Sequence, residues 1–299
     1  MTRIGIDIQG GDYAPEVVWQ GLELALPELK AGTELNLYGL EADAARSPEG
    51  HRYHLCSQAI EMGEHPVKAL QQKQDATLIR GVVDLAQKKI DSFASAGHSG
   101  ALMVASMQIL GLQEGINRPV VVSLFPRIDG GQIAVLDVGI NVDAKAEQFL
   151  EFAQLGASYA KAVLAKREPK IALLNTGAEE SKGSVVYKRA HELLKESVEG
   201  FSGNMEARDF FQSDVDVLLC DGFTGNIILK QTESFYTLSK ELGLKHEFLN
   251  RLDYENYGAS PIMGVRGKVL LAHGASGPRA IKNMILGAES IALANFVHS

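Results

Sequence analysis

Five glycine-bearing loops hold the residues of this chain best suited to gripping an anion. They are Gln9-Gly10-Gly11-Asp12, Ser95-Ala96-Gly97-His98-Ser99-Gly100, Asn175-Thr176-Gly177-Ala178-Glu179-Glu180-Ser181-Lys182-Gly183, Asp221-Gly222-Phe223-Thr224-Gly225-Asn226 and His273-Gly274-Ala275-Ser276-Gly277. Glycine lets a backbone approach an anion closely, and the first turn of a following helix adds unpaired N–H groups and the positive end of a dipole. Phosphate is the simplest occupant of such a cradle. None of the loops is the GxxxxGK[ST] of a nucleotide P-loop or the GxGxxG of a dinucleotide fold, so nucleotide binding has little support. In any one loop, tight turning and close helix packing is the commoner reason for glycine. Five of them at successive strand ends point to a site.

The charged residues within and beside these loops narrow the chemistry. Lys182 follows Glu179 and Glu180 at the expected start of a helix, where carboxylates suit the dipole and a lysine does not. It either pairs with those glutamates or faces a ligand anion. Lys230, four residues after Asn226, falls on the same face of the helix that Asp221 to Gly225 opens, unless it is simply an exposed helix lysine. His273 follows an apolar strand and is either a general acid/base or a satisfied buried histidine. Capping of a helix that begins near Ala14 accounts for one of Asp7 and Asp12, hardly for both. There is no GxSxG elbow and no Ser/His/Asp or Cys/His arrangement, so a covalent acyl-enzyme is not indicated. No metal cluster is evident either. Without such groups the cheapest mechanism is direct displacement, in which loops bind phosphate next to a thioester carbonyl and N–H groups with a Lys or Asn stabilise the oxyanion.

To position such loops the chain must end strands together. Short apolar runs alternate with helical periods, which predicts an α/β fold with a mainly parallel sheet and ligands at the carboxyl ends of its strands. The expected strands are Arg3 to Ile8, Glu34 to Tyr38, Ser92 to Ser95, Pro119 to Leu124, Gln132 to Asp137, Lys170 to Leu174, Val215 to Cys220 and Lys268 to Ala272. The expected helices are Glu16 to Leu29, Asp75 to Lys88, Ala144 to Leu164, Lys182 to Glu196 and Pro278 to Asn295. Ser197 to Asp214 and Ser239 to Tyr257 read as surface excursions, and no linker composition divides the 299 residues, so one domain is expected. A net charge of -8 argues against a nucleic-acid partner, and an acidic carrier protein would need a local basic patch. The cysteines, Cys56 and Cys220, suggest neither a disulfide framework nor a zinc site. Met1 runs directly into a strand without signal-peptide character, and no run of about 18 apolar residues occurs, so a cytoplasmic location is expected, at most peripheral to the membrane.

Read in order, the loops resemble the PlsX family of phosphate acyltransferases from end to end. The resemblance rests on Gly10-Gly11-Asp12-Tyr13-Ala14-Pro15-Glu16, Glu61-Met62-Gly63-Glu64-His65-Pro66-Val67-Lys68-Ala69, Ser95 to Met103, Arg118-Pro119, Leu136-Asp137-Val138-Gly139-Ile140-Asn141-Val142-Asp143, Leu173 to Gly183, Asp221 to Asn226 and Tyr257-Gly258 to Gly264. It implies a Rossmann-like fold with helices on both faces of the sheet, akin to phosphate acetyltransferases and isopropylmalate dehydrogenases. It also implies a homodimer, no cofactor, and transfer of an acyl group from acyl carrier protein to inorganic phosphate, the product passing to a membrane glycerol-3-phosphate acyltransferase. On that reading Lys182 and Asn226 stabilise phosphate and oxyanion, with His273 and Lys230 as second choices. The substrate-binding set is Asp7, Gly10, Gly11, Asp12, Ser95, Gly97, His98, Ser99, Gly100, Asn141, Thr176, Gly177, Glu180, Asp221, Gly222, Thr224 and Gly225. Two alternatives stay open, a short-chain acyl-CoA enzyme of the same fold and a non-catalytic scaffold for carrier protein. Departures from the family pattern are His98 and Ser99 for the usual Asn and Thr, Gln9 for Met, Ile140 for Ala, and Ala259-Ser260 for Gly-Ala. Lys240, Glu241, Lys245, His246 and Glu247 make the segment before Tyr257 polar, which weakens the case for docking on a membrane through an amphipathic helix.

Overall fold

The computed structural model describes residues 1–294 and 296. In chain order it places β1 (Thr2–Asp7), α1 (Glu16–Ala25), β2 (Thr33–Gly39), β3 (Arg52–Leu55), α2 (Pro66–Gln72), α3 (Thr77–Ala86), β4 (Ser92–Ser95) and α4 (Ser99–Ala105). Next come β5 (Val120–Val121), β6 (Ser123–Pro126), β7 (Gln132–Leu136), α5 (Gln148–Ala162), β8 (Ile171–Asn175), α6 (Val185–Ser197), β9 (Phe201–Glu206), β10 (Val217–Leu219), α7 (Gly222–Glu241) and α8 (Glu247–Arg251). The chain closes with β11 (Ala259–Met263), β12 (Val269–Ala272) and α9 (Pro278–Leu293). Two compact units result, one from Met1–Gln113 with Tyr254–Leu293 and the other built on Glu114–Asp253.

In the first unit the strands run in the order β3-β2-β1-β4-β12-β11, all neighbours parallel except the β11/β12 pair. The order reverses between β1 and β4, and such a reversal opens a crevice beyond the strand ends. Ile4, Ile6, Leu35, Leu37, Phe93 and Ala94 are fully buried, as expected of central parallel strands. Helix α9 packs on β1, β4 and α1, and α3 on β1, β2 and β4. The second unit orders its strands β6-β7-β10-β8-β9, with only β6/β7 antiparallel. Phe149, Phe152, Leu155, Tyr159 and Ala160 of α5 supply much of its core.

The mainly parallel α/β architecture predicted from the alternation is the one observed. Strands β3, β9 and β11 were not among those expected, and β3 and β9 lie at sheet edges. None of the four residues of β3 is buried, and β9 buries only Met205, so neither shows the apolar run that marks a covered strand. The expected excursion Ser197 to Asp214 therefore contains the edge strand β9. The run Pro119 to Leu124 divides into β5 and β6 at Val122. The helix expected from Lys182 begins at Val185, because Ser184 Oγ accepts from the Tyr187 N–H at 3.3 Å and sets the start there. Helices α2 and α8 lie where no helix was expected, whereas α7 is the helix that Asp221 to Gly225 was expected to open, and α4 begins at Ser99 behind the second glycine loop. Asn295, the expected end of the last helix, lies outside the described residues. Among the described residues no helix is long and apolar enough to cross a membrane.

Gly81 in α3 lies directly over the ring of Phe93, a fully buried side chain held edge-on by Tyr38 at 5.8 Å between centroids. In an exposed helix Gly→Ala gains about 1 kcal/mol. Here the added methyl has no room, so Gly81→Ala is expected to lose about 1–3 kcal/mol in urea unfolding; a net gain would contradict this packing.

Candidate functional site

In the first unit the neighbouring strands β1, β4 and β12 end in three of the glycine loops. Asp7, 2% exposed, accepts hydrogen bonds from Ser95 Oγ at 2.7 Å and from the Gln9 N–H at 3.1 Å. Ser95 Oγ in turn accepts from the Gly97 N–H at 2.9 Å, so a buried carboxyl ties the first loop to the second. Burial pushes the Asp7 carboxyl up from its ordinary range, while the bonds from Ser95, Thr77 and Gln9 pull the other way. Gly10 is required by this closeness: a Cβ there would stand 2.7 Å from both Gly97 N and Ser95 Oγ. Gly11 takes φ +120°, and the Asp12 N–H donates to Gly274 O at 2.8 Å, which joins the third loop.

Several expectations change here. Neither Asp7 nor Asp12 caps α1, whose N-cap is Pro15 with no side-chain bond; Asp7 serves the loops instead. His273 is exposed, so it is not the buried histidine of the alternative reading; its Nδ1 accepts from the Ala275 N–H at 3.1 Å. His98 caps α4, its Nδ1 accepting from the Ala101 N–H at 3.3 Å, and its Nε2 lies 2.8 Å from Glu64 O. Ser99 is exposed at the start of α4, and a Cβ on Gly100 would meet Pro66 Cγ at 2.9 Å.

In the second unit β7, β10 and β8 lie side by side and deliver the loops 137–141, 221–226 and 175–183. Asp137 has no exposed surface. It accepts from the Val121 N–H at 3.0 Å, the Ile140 N–H at 3.1 Å, the Asn141 N–H, and Asn141 Nδ2 at 3.0 Å. Burial raises its pKa, and the donors oppose the rise. Asn141 O accepts from the Gly222 N–H at 2.8 Å. A Cβ on Gly222 would come within 2.7 Å of Asn141 N, and one on Gly225 would run into Asp137 O, so only glycine lets α7 start against this turn. Asp221 caps α7, accepting from the Thr224 N–H at 2.8 Å and from Thr224 Oγ1 at 3.1 Å, and Tyr187 OH donates to it at 2.5 Å. That arrangement presents Asn226, one turn on, as an exposed side chain near Gly139.

The cations of this unit differ in how firmly they are held. Lys230 is an exposed helix lysine, as its bland reading anticipated, and it pairs with Glu233 of its own helix at 2.8 Å. Glu180 is held by Lys195 at 2.6 Å, which keeps its carboxyl below the usual range. Lys182 lies 4.0 Å from Glu179, both half or more exposed, and its carbonyl is anchored by Asn175 Nδ2 at 3.3 Å. Thr176 N–H bonds Asn175 Oδ1 at 2.8 Å, and Gly177 passes beneath the Lys182 stem. The structural anchors Asp137, Asn175 and Tyr187 were not among the expected site residues. Asp137 had a signal, an acid closing a fully apolar strand; Tyr187 had none, since only folding brings it to Asp221.

The family model described as "Fatty acid synthesis protein" matches residues 2–248. The "Phosphate acyltransferase" of Staphylococcus haemolyticus (strain JCSC1435) is 37% identical over 309 residues, covering 97% of this chain and 94% of its own. The chain belongs to the phosphate acyltransferase family. It is an acyltransferase, and the resemblance seen in its loops is the family's. Among solved structures, a phosphotransacetylase from Streptococcus pyogenes superposes with TM-score 0.68 at 18% identity, over 98% of this chain and 94% of that one. A putative 4-hydroxythreonine-4-phosphate dehydrogenase from Salmonella typhimurium gives 0.59 at 12% identity, over 97% and 99%. At such identities the likeness is one of fold, and it places this acyltransferase in the Rossmann-like class expected.

Because the folded chain holds the Asp7 proton more tightly than the unfolded one, this group's contribution to stability is present at low pH. It is lost as pH rises from the unfolded value near about 4 through the raised folded value. Asparagine cannot ionise. Asp7→Asn is therefore expected to cost about 1–3 kcal/mol at pH 5 and less at pH 8 in urea unfolding; equal losses at both would show that Asp7 ionises freely in the native protein.

Proposed function

We propose that this enzyme transfers a long-chain fatty acyl group from the thioester of acyl carrier protein to inorganic phosphate, giving an acyl phosphate for phosphatidic acid synthesis. The observation that carries the reading is the looseness of Lys182. It stands in a strand-end glycine loop of a phosphate acyltransferase with its nearest carboxylate 4.0 Å away, whereas Lys230 is already paired at 2.8 Å. An ammonium in that setting is available to an incoming phosphate.

The chemistry needs no enzyme nucleophile. A phosphate oxygen bonds the thioester carbon while the carbonyl pair moves onto oxygen; that pair then returns as the C–S bond breaks and the carrier's thiolate leaves to take a proton from water. Lys182 offsets the charge of the phosphate, and the Asn226 amide, on the glycine-bearing first turn of α7, donates to the oxyanion. The proposal extends to a homodimer as the working form and to a membrane glycerol-3-phosphate acyltransferase as consumer of the product.

The test is phosphate-dependent loss of thioester from long-chain acyl carrier protein, run beside acetyl-CoA. Lys182→Ala is expected to lower turnover about 100-fold or more, and Lys230→Ala to lower it far less. Turnover of acetyl-CoA alone would reassign the donor, and carrier-protein binding without turnover would favour a scaffold.

A further inference from the structure

The Ser95–Gly100 loop is held by a histidine in a place where other chemistry is usual. N-caps are mostly the oxygens of Ser, Thr, Asp or Asn, whose accepting power does not depend on a proton between pH 5 and 8. His98 caps α4 through Nδ1, 3.3 Å from the Ala101 N–H, and spends Nε2 on Glu64 O at 2.8 Å. The partners settle the tautomer. A backbone N–H can only donate, so Nδ1 carries a lone pair; a carbonyl can only accept, so Nε2 carries the hydrogen. A second proton has one place to go, Nδ1, where it would set N–H against N–H.

The ring is also wedged in the loop. A Cβ on Gly100 would stand 3.1 Å from His98 Cε1 and 2.9 Å from Pro66 Cγ, and next to His98 the Gly97 N–H is bonded to Ser95 Oγ, which donates to Asp7. We infer that neutral His98 is a positioning residue for the acyl-transfer reaction, and that its protonation releases the Ser95–Gly100 loop and slows the enzyme. This rests for its rate effect on the proposed function and on the reading of the Ser95–Gly100 loop as an anion-binding loop, and on geometry alone for the release.

The charged and titratable groups of the surrounding elements are Glu61, Glu64 and His65 in the turn before α2, Lys68 and Lys73 in and after α2, Asp7 and Asp12 in the β1 loop, and Arg80 and Asp84 on α3. Glu64 is bound to Lys73 at 2.5 Å, and its carboxyl is held below the usual range chiefly by that lysine and slightly by His98. Arg80 pairs with Asp75 at 2.6 Å and Asp84 with Lys89 at 2.9 Å. His65, next to Glu64, is the histidine of these elements and defines the control.

The experiment compares kcat/KM of the native chain, His98→Asn and His65→Asn from pH 8 to pH 5.5, with long-chain acyl carrier protein and inorganic phosphate. Asparagine caps at every pH in this range. Phosphate itself changes charge here, so the readout is the ratio of native to variant. The native to His98→Asn ratio is expected to fall about fivefold between the two ends, and the native to His65→Asn ratio to stay level. In parallel, the Ala101 amide shift of the native chain is followed by NMR against the His98 ring nitrogens, and is expected to move with them. A level native to His98→Asn ratio, or an Ala101 amide indifferent to His98 titration, overturns the inference. If no variant turns over at any pH, the proposed function fails and the Ala101 readout alone decides the capping claim.

Discussion

The Asp137 carboxyl is sealed from water, and a group of that kind is tolerated only where donors converge on it. Four N–H groups do so, from Val121, Ile140 and twice from Asn141. To bring them there the chain must turn sharply after β7, and the turn leaves Asn141 O pointing at the first residue of α7. Gly222 and Gly225 follow as necessities, since a methyl at either would strike the turn. With α7 seated, Asp221 caps it and receives Tyr187 from α6, so three strand ends become one rigid rim. The first unit solves the same problem with Asp7, Ser95 and Gly10. In both units the buried acid acts as an organiser of loops, and the groups suited to meeting a substrate, Lys182 and Asn226, stand exposed on the scaffold it makes.

This division explains what could be read in advance. Central strands such as Ile4 to Ile6 and Val217 to Leu219 are buried on both faces and announce themselves as apolar runs. Edge strands β3 and β9 have little to bury, and their polar residues read as loop. The start of α7 was legible from Asp221 to Gly225, but its length, to Glu241, was not. The loops themselves were legible as glycine-bearing turns at strand ends, and Gly10, Gly222 and Gly225 are there because the backbone packs too closely for a Cβ. Their internal wiring was not: the bonds from Tyr187 to Asp221 and from Gln9 Nε2 to Asp43 span 34 residues each. Lys230 shows the limit from the other side, since a helical face correctly placed it after Asn226 but could not reveal its pairing with Glu233.

Membership in the phosphate acyltransferase family and the loop geometry bear on different links of the argument. The family supplies the class of reaction. The geometry supplies the distinction between Lys230, paired with Glu233 at 2.8 Å, and Lys182, whose nearest carboxylate is 4.0 Å away.

The most direct test of the central claim follows the oxygen atoms. The chain is incubated with long-chain acyl carrier protein and phosphate labelled with oxygen-18, and the products are read by mass spectrometry. Acyl transfer to phosphate predicts an acyl phosphate that retains every labelled oxygen of the phosphate, with an unlabelled carbonyl. Free fatty acid carrying oxygen from water in place of the acyl phosphate would contradict it.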